Sequence, residues 1–464
     1  MTAVAVRRML LRGRWRLLDW RTIVALPLAL AASWLFMYHR MFLELIALLV
    51  LALPLLLSPK VRVLFFVLGT VTVFGPPEFT MSKLLFLFGA SVALAGAFGR
   101  SRALVQTPAY RDLRPLIRAS VVLMIVILVS FFVAQSHGVP HKAWLSDVAP
   151  YVLLAWAPLF AFDAQTAFGV RGLQRLIVVA GLEAAVVFML RWYGNRGIAS
   201  DTTSGWGLPS LSLCGALFAL ALAIALDREK RRLRWLALGA FVFAMVTSTG
   251  TRLSAVLLAA PLAIILGTRR HFARRSIRLG VAIPIAAVVA ALGAQSLLKL
   301  VHANREAVSE RFTLILHSGT ASDQSYSNRL NEVRSAWALF QSDPVFGVGP
   351  GHTIPWRDAN GAEFDNAFVD TPVGFLPDYG LVGVAGAGIL VLSFSSVVRG
   401  LYRRAGKRTT SQLALLGFGA VVLAYSVLQV PFEDKGLSTA LLLLLAISAR
   451  EAGEHSEHRI QSAE

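Results

Sequence analysis

Residues 323–381 read DQSYSNRLNEVRSAWALFQSDPVFGVGPG and then HTIPWRDANGAEFDNAFVDTPVGFLPDYGL, a polar stretch rich in Gly, Asp, Asn and Arg. Most of the chain on either side is apolar enough to lie in lipid, so polar chemistry has this stretch to work in. Of the 464 residues, 56% are hydrophobic and 15% charged, against about 25% charge in an ordinary soluble domain. Only helices and closed barrels satisfy their backbone polar groups in hydrocarbon. The long apolar runs of this chain specify an all-α integral membrane protein.

A helix needs roughly 17 to 25 apolar residues to cross a bilayer, and the chain supplies about 12–14 transmembrane runs. They lie near 22–38, 42–58, 63–79, 84–99, 119–135, 147–162, 176–192, 209–226, 235–250, 253–267, 279–298, 376–398, 412–428 and 436–449. The formal net charge is +19, from 45 Lys and Arg against 26 Asp and Glu. Those basic residues sit at the ends of apolar runs, which records topology and argues against a nucleic-acid partner. With the N-terminus cytoplasmic, the tightest clusters, at 228–234, 269–278 and 399–408, all fall on the inner side, as the positive-inside rule requires. The basic start (Arg7, Arg8, Arg12, Arg14, Arg16) leads into one apolar run of many, which reads as a first membrane helix and not a cleaved signal. The single cysteine, Cys214, permits no intramolecular disulfide and gives no support to thiol catalysis. The expected organisation is a transmembrane bundle over 1–298, a large external loop over 299–374, transmembrane helices over 375–450, and a short, frayed cytoplasmic tail over 451–464.

Within the loop, Leu330, Val333, Trp337 and Phe340 recur at helical spacing, with Arg329 and Arg334 on the borders. That pattern predicts an amphipathic helix lying apolar face down on the outer membrane surface, stopped by Asp343-Pro344. Gly347, Gly349, Pro350 and Gly351 predict a tight turn whose backbone amides approach a ligand closely, with Gly349 at its centre. Arg252, within VTSTGTRLSAVLLAAP (246–261), falls at the outer boundary among small polar residues. There it is either a snorkelling anchor or a planar, bidentate phosphate donor. Arg252 and Arg329 at one membrane face can clamp a pyrophosphate carried on a lipid, with Arg334, Arg191 and Arg196 as weaker candidates. His352, Asp365, Asn366, Asp370 and Asp378 form an acidic and imidazole set. A carboxylate or imidazole among them can take a proton from a sugar hydroxyl, although the apolar residues after Asp365-Asn366 also suit a helix cap. No metal-ligand spacing, phosphate loop or dinucleotide fingerprint is present, so neither a metal nor a cofactor is expected.

The strings SNRLNEVRSAWALFQSDPVFGVGPGH (327–352) and DNAFVDTPVGFLPDYGLVG (365–383) resemble the signature region of the O-antigen ligase and O-antigen polymerase superfamily. The Ser248-to-Arg252 break is similar to that family's Ser-x-Ser-Arg break at the outer end of a middle helix. The resemblance implies an inverting, metal-independent glycosyltransferase of the bacterial inner membrane, acting at the periplasmic face. Its donor would be an oligosaccharide on undecaprenyl pyrophosphate, its acceptor a glycan or lipid-linked glycan, and a chain-length regulator would be among its partners. Arg252 and Arg329 would hold the pyrophosphate, and a base near the turn, Asp365 or His352, would activate the acceptor hydroxyl. Ligases of this family usually carry His-Asn where this chain has Asp365-Asn366. That difference favours a repeat-unit polymerase for exopolysaccharide or O-antigen over a ligase acting on lipid A core. Outside the family, a transporter of an anionic lipid is the competing class.

Overall fold

The computed structural model describes residues 52–73, 80–98, 108–194, 210–226, 232–247, 260, 261, 265, 324–358, 361–366, 372–405, 409–428, 434 and 436–461. Eleven helices and one hairpin are described: α1 Pro59–Val73, α2 Met81–Phe98, α3 Pro108–Ser136, α4 His141–Ala167, α5 Val170–Gly194, α6 Leu211–Leu226, α7 Arg232–Thr247, α8 Gln324–Ser342, β1 Ile354–Arg357, β2 Glu363–Asn366, α9 Phe375–Ala405, α10 Thr410–Leu428 and α11 Gly436–Gln461. Each predicted span within the described residues from 63 onward coincides with one of these helices. The spans near 22–38 and 279–298, and nearly all of 253–267, lie outside the described residues.

The molecule is an all-α membrane protein. Among the described residues, four helical stretches are long and apolar enough to cross a bilayer: Tyr110–Ser136, His141–Ala167, Pro372–Ala405 and Gly436–Glu457. Met81–Ala97, Ser212–Leu226, Leu233–Val242 and Thr410–Ser426 are shorter apolar helices. α4 and α11 pack on each other at the centre, α3 and α9 pack together beside them, and α6 lies between α7 and α10. Phe66 of α1 stacks on Phe160 of α4 with ring centroids 4.3 Å apart.

The connections alternate, so the bundle has two ends. At one end Arg62 donates from Nε and Nη2 to Asp163 at 2.5 and 2.9 Å, and from Nη1 to the Leu55 and Leu56 carbonyls at 3.3 and 3.0 Å. Arg404 pairs with Asp112 there, and Glu451 accepts from the Ser411 amide and hydroxyl. At the other end α3 turns into α4 through Gly138, whose φ of 74° suits glycine as a helix terminator. Asp434 caps two helices at this end. It accepts from the Ser212 amide at 2.7 Å, the Ser210 hydroxyl at 2.7 Å and the Gly436 amide at 2.9 Å. α8 and the hairpin also sit at this end, opposite the ion pairs.

One expectation needs correction. Residues 451–461 continue α11 instead of fraying, because Glu451 is tied to α10 and Arg450 pairs with Glu454 one turn on. Arg62, Lys83 and Asp163 are buried at the borders of the apolar runs, each within about a turn of a helix end.

Candidate functional site

The site is built on α8. Ala336 is fully buried and, with Leu339, packs on Ile354 of β1 and Val373. The apolar stripe read from the sequence is therefore split. Phe340 faces inward, whereas Leu330 and Trp337 are exposed. α8 also covers one edge of the hairpin: Asn331 Nδ2 donates to the Arg357 carbonyl at 2.9 Å, which satisfies an edge group that would otherwise invite another strand.

Asp365 and Asn366 end the strand Glu363–Asn366, and the helix expected to start after them lies outside the described residues. β1 and β2 run antiparallel, with Ile354 opposite Asn366, Pro355 opposite Asp365, Trp356 opposite Phe364 and Arg357 opposite Glu363. A tight turn fixes the register, with Asp358 accepting from the Ala362 amide at 2.8 Å and Gly361 at φ 88°. Asp365 is exposed on the strand.

After Ser342 the chain leaves the helix at Pro344 and is woven into α9. α9 breaks at Gly380, with φ 58° and ψ −161°, which frees backbone groups on both sides of the break. The loop takes them up: Val348 N–H donates to the Pro377 carbonyl at 2.7 Å, Leu381 N–H to Pro344 at 3.0 Å and Val382 N–H to Val345 at 3.1 Å. Glycine is required on both partners. A Cβ on Gly347 would lie 2.3 Å from the Pro377 oxygen, and one on Gly380 would lie 2.4 Å from the Val345 oxygen. The next two glycines seat the turn on the α3–α4 end. A Cβ on Gly349 (φ 94°) would come within 2.6 Å of the Ala134 backbone, and one on Gly351 (φ 85°) within 2.6 Å of the Trp144 amide. Close backbone packing thus accounts for Gly349.

This anchoring delivers His352 to the root of the hairpin. Its Nδ1 lies 2.6 Å from the Thr353 carbonyl. A carbonyl only accepts, so Nδ1 donates in this contact, and Nε2 is the ring nitrogen left for a substrate to meet. Arg329 and Arg334 are both exposed, and neither makes an ion pair among the described residues. α8 and β1 run antiparallel. Arg329 therefore lies about 10 Å along the helix axis from Ala336, at 1.5 Å per residue. His352 lies about 7 Å beyond Ile354 the other way, at 3.3 Å per residue. Arg329 and His352 are too far apart to touch and flank the space in which a substrate would lie. Asp365 lies between them along the hairpin.

The remaining sequence candidates divide by position. Arg252, Arg196 and Asp370 lie outside the described residues, as do the side chains of Arg191 and Asn366. α7 ends at Thr247, five residues before Arg252. Gly239 of α7 packs on Phe218 and Ala221 of α6, midpoint to midpoint. Asp378 is buried next to the Gly380 break. Sequence reasoning missed the stacked pair Trp356–Phe364, with centroids 4.8 Å apart and planes at 18°. The signal was there as two aromatics flanking a Gly-containing turn. Residues 235–385 match the family model described as O-Antigen ligase. No curated protein matches the chain.

Proposed function

We propose, from the O-antigen ligase domain that the chain carries at residues 235–385, that this membrane glycan-processing protein joins lipid-linked oligosaccharide repeat units into a polymer. The donor is an oligosaccharide on undecaprenyl pyrophosphate, met at the periplasmic face. Arg329, with Arg252 and assistance from Arg334 and Arg191, holds the pyrophosphate and stabilises the negative charge that grows on it as it leaves. His352 Nε2 takes the proton from the acceptor hydroxyl, whose oxygen attacks the anomeric carbon from the face opposite the pyrophosphate and inverts it. The observation that supports glycosyl transfer is the His352 ring, held through Nδ1 by the Thr353 carbonyl on a turn locked by glycine packing. Asp365, exposed on its strand, is the second carboxylate or imidazole group open to the acceptor. Asp in place of His at residue 365 supports polymer formation over transfer to lipid A core.

The test is complementation of a strain lacking the chromosomal copy. Arg329→Ala abolishes polymer while single repeat units persist on the carrier. His352→Gln lowers the rate by about 10²–10⁴, and Asp365→Asn retains most of it. Full polymer from His352→Gln overturns the assignment of the base. Polymer that still forms on the carrier but no longer reaches lipid A core identifies a ligase. Loss of translocation identifies a transporter.

A further inference from the structure

Phe364 is an aromatic residue on a solvent-facing strand, 43% exposed. One face of its ring is occupied: it stacks at 4.8 Å and 18° on Trp356, which is itself only 8% exposed beneath α8. The Trp356 Nε1–H is buried and has no hydrogen-bond partner among the described residues. Buried indole N–H groups usually find a partner, and leaving a buried donor unpaired is destabilising. What the position exploits is therefore the width and flatness of the indole. The arrangement holds the Phe364 ring in one orientation with its outer face open. The backing is stiff. The Arg357 guanidinium and Glu363 carboxylate pair beside it, the turn is closed by Asp358, and Asn331 ties β1 to α8.

A fixed, open aromatic face suits the C–H face of a pyranose ring. Sugars present such faces because their axial hydrogens cluster on one side while the hydroxyls point outward. We infer that the Trp356–Phe364 pair is a glycan subsite, on which a sugar of the acceptor chain stacks while its reacting hydroxyl is presented towards the turn. The inference rests on the glycan-transfer role proposed above and assigns its acceptor a place. Phe364 belongs to the strand that also carries Asp365, and its partner strand starts two residues after His352. Phe364 pairs with Trp356, four residues from His352, so a sugar held on the ring lies about 13 Å along the strand from the proposed base, at 3.3 Å per residue. Stacking supplies grip with little demand for one hydroxyl pattern, which suits an acceptor that grows by repeated addition.

The experiment uses the full chain purified in nanodiscs, with lipid-free oligosaccharide released by mild acid from the host's own polymer as the probe and binding read by calorimetry. Phe364→Ala weakens binding at least about tenfold, Phe364→Tyr keeps it, and Phe364→Leu, which retains apolar area without a flat ring, binds as poorly as Ala. Thermal midpoints of all three stay at the wild-type value, because the ring is half exposed. Wild-type binding by Phe364→Ala overturns the subsite. Wild-type binding by Phe364→Leu overturns it too, since the ring then serves only as an apolar contact with lipid. The subsite fails alone if Phe364→Ala binds normally while Arg329→Ala still abolishes polymer. The transfer role fails alone if Arg329→Ala leaves polymer intact while glycan binding still depends on the Phe364 ring.

Discussion

The two ends of the bundle are fastened by different chemistry. At one end guanidinium and carboxylate groups hold the helices: Arg62 with Asp163, Arg404 with Asp112, and Glu451 on Ser411. At the other the backbone does most of the holding, through the exchange between 344–348 and the broken turn of α9, with glycines removing the side chains that would block it. Charged side chains spent on structure are unavailable for chemistry. By fastening the α8 end largely with amides and carbonyls, the fold leaves Arg329, Arg334 and Asp365 without an ion pair among the described residues.

That contrast can be broken from either side. The largest effect is expected from Gly349→Val. A β-branched side chain at φ 94° and against the Ala134 backbone combines backbone strain with overpacking, several kcal/mol together, and the protein should disappear from the membrane fraction. Arg62→Ala at the ion-paired end leaves Asp163 buried and uncompensated, at a cost of about 3–5 kcal/mol. The paired change Arg62→Met with Asp163→Leu should recover most of the lost thermal midpoint, because no buried charge is then left uncompensated. Asp434→Ala removes the shared cap of α6 and α11 and should cost about 1–2 kcal/mol, read as a lower midpoint with polymer still made. The smallest effect is expected from Arg357→Ala. Both members of its pair are about 70% exposed and exposed pairs contribute little, so the midpoint should stay at the wild-type value.

Helices were legible because lipid imposes length and apolarity on each span, and the stop at Asp343-Pro344 was legible from proline sterics. The inward face of α8 was only half legible. Periodicity marks an apolar face but not what covers it, and the small Ala336, not Trp337, fits against Ile354. The hairpin escaped notice because IPWR and EFDN are four residues each, too short for an alternating pattern. The Arg62–Asp163 pair joins positions 101 residues apart, and Asp434 reaches helices separated by more than 200 residues. No local pattern reports partners at such a remove. At the site, His352 and the arginines were visible as residue types, whereas the tautomer of His352 depends on a carbonyl whose direction only the folded turn fixes.

The break at Gly380 has a consequence for motion. The amides of Val348, Leu381 and Val382 are held by carbonyls across one seam, so the turn cannot lift while the outer half of α9 stays intact. The two open and close in a single event, a shared local unfolding unit. The floor beneath α8 and the hairpin therefore moves as one piece or not at all.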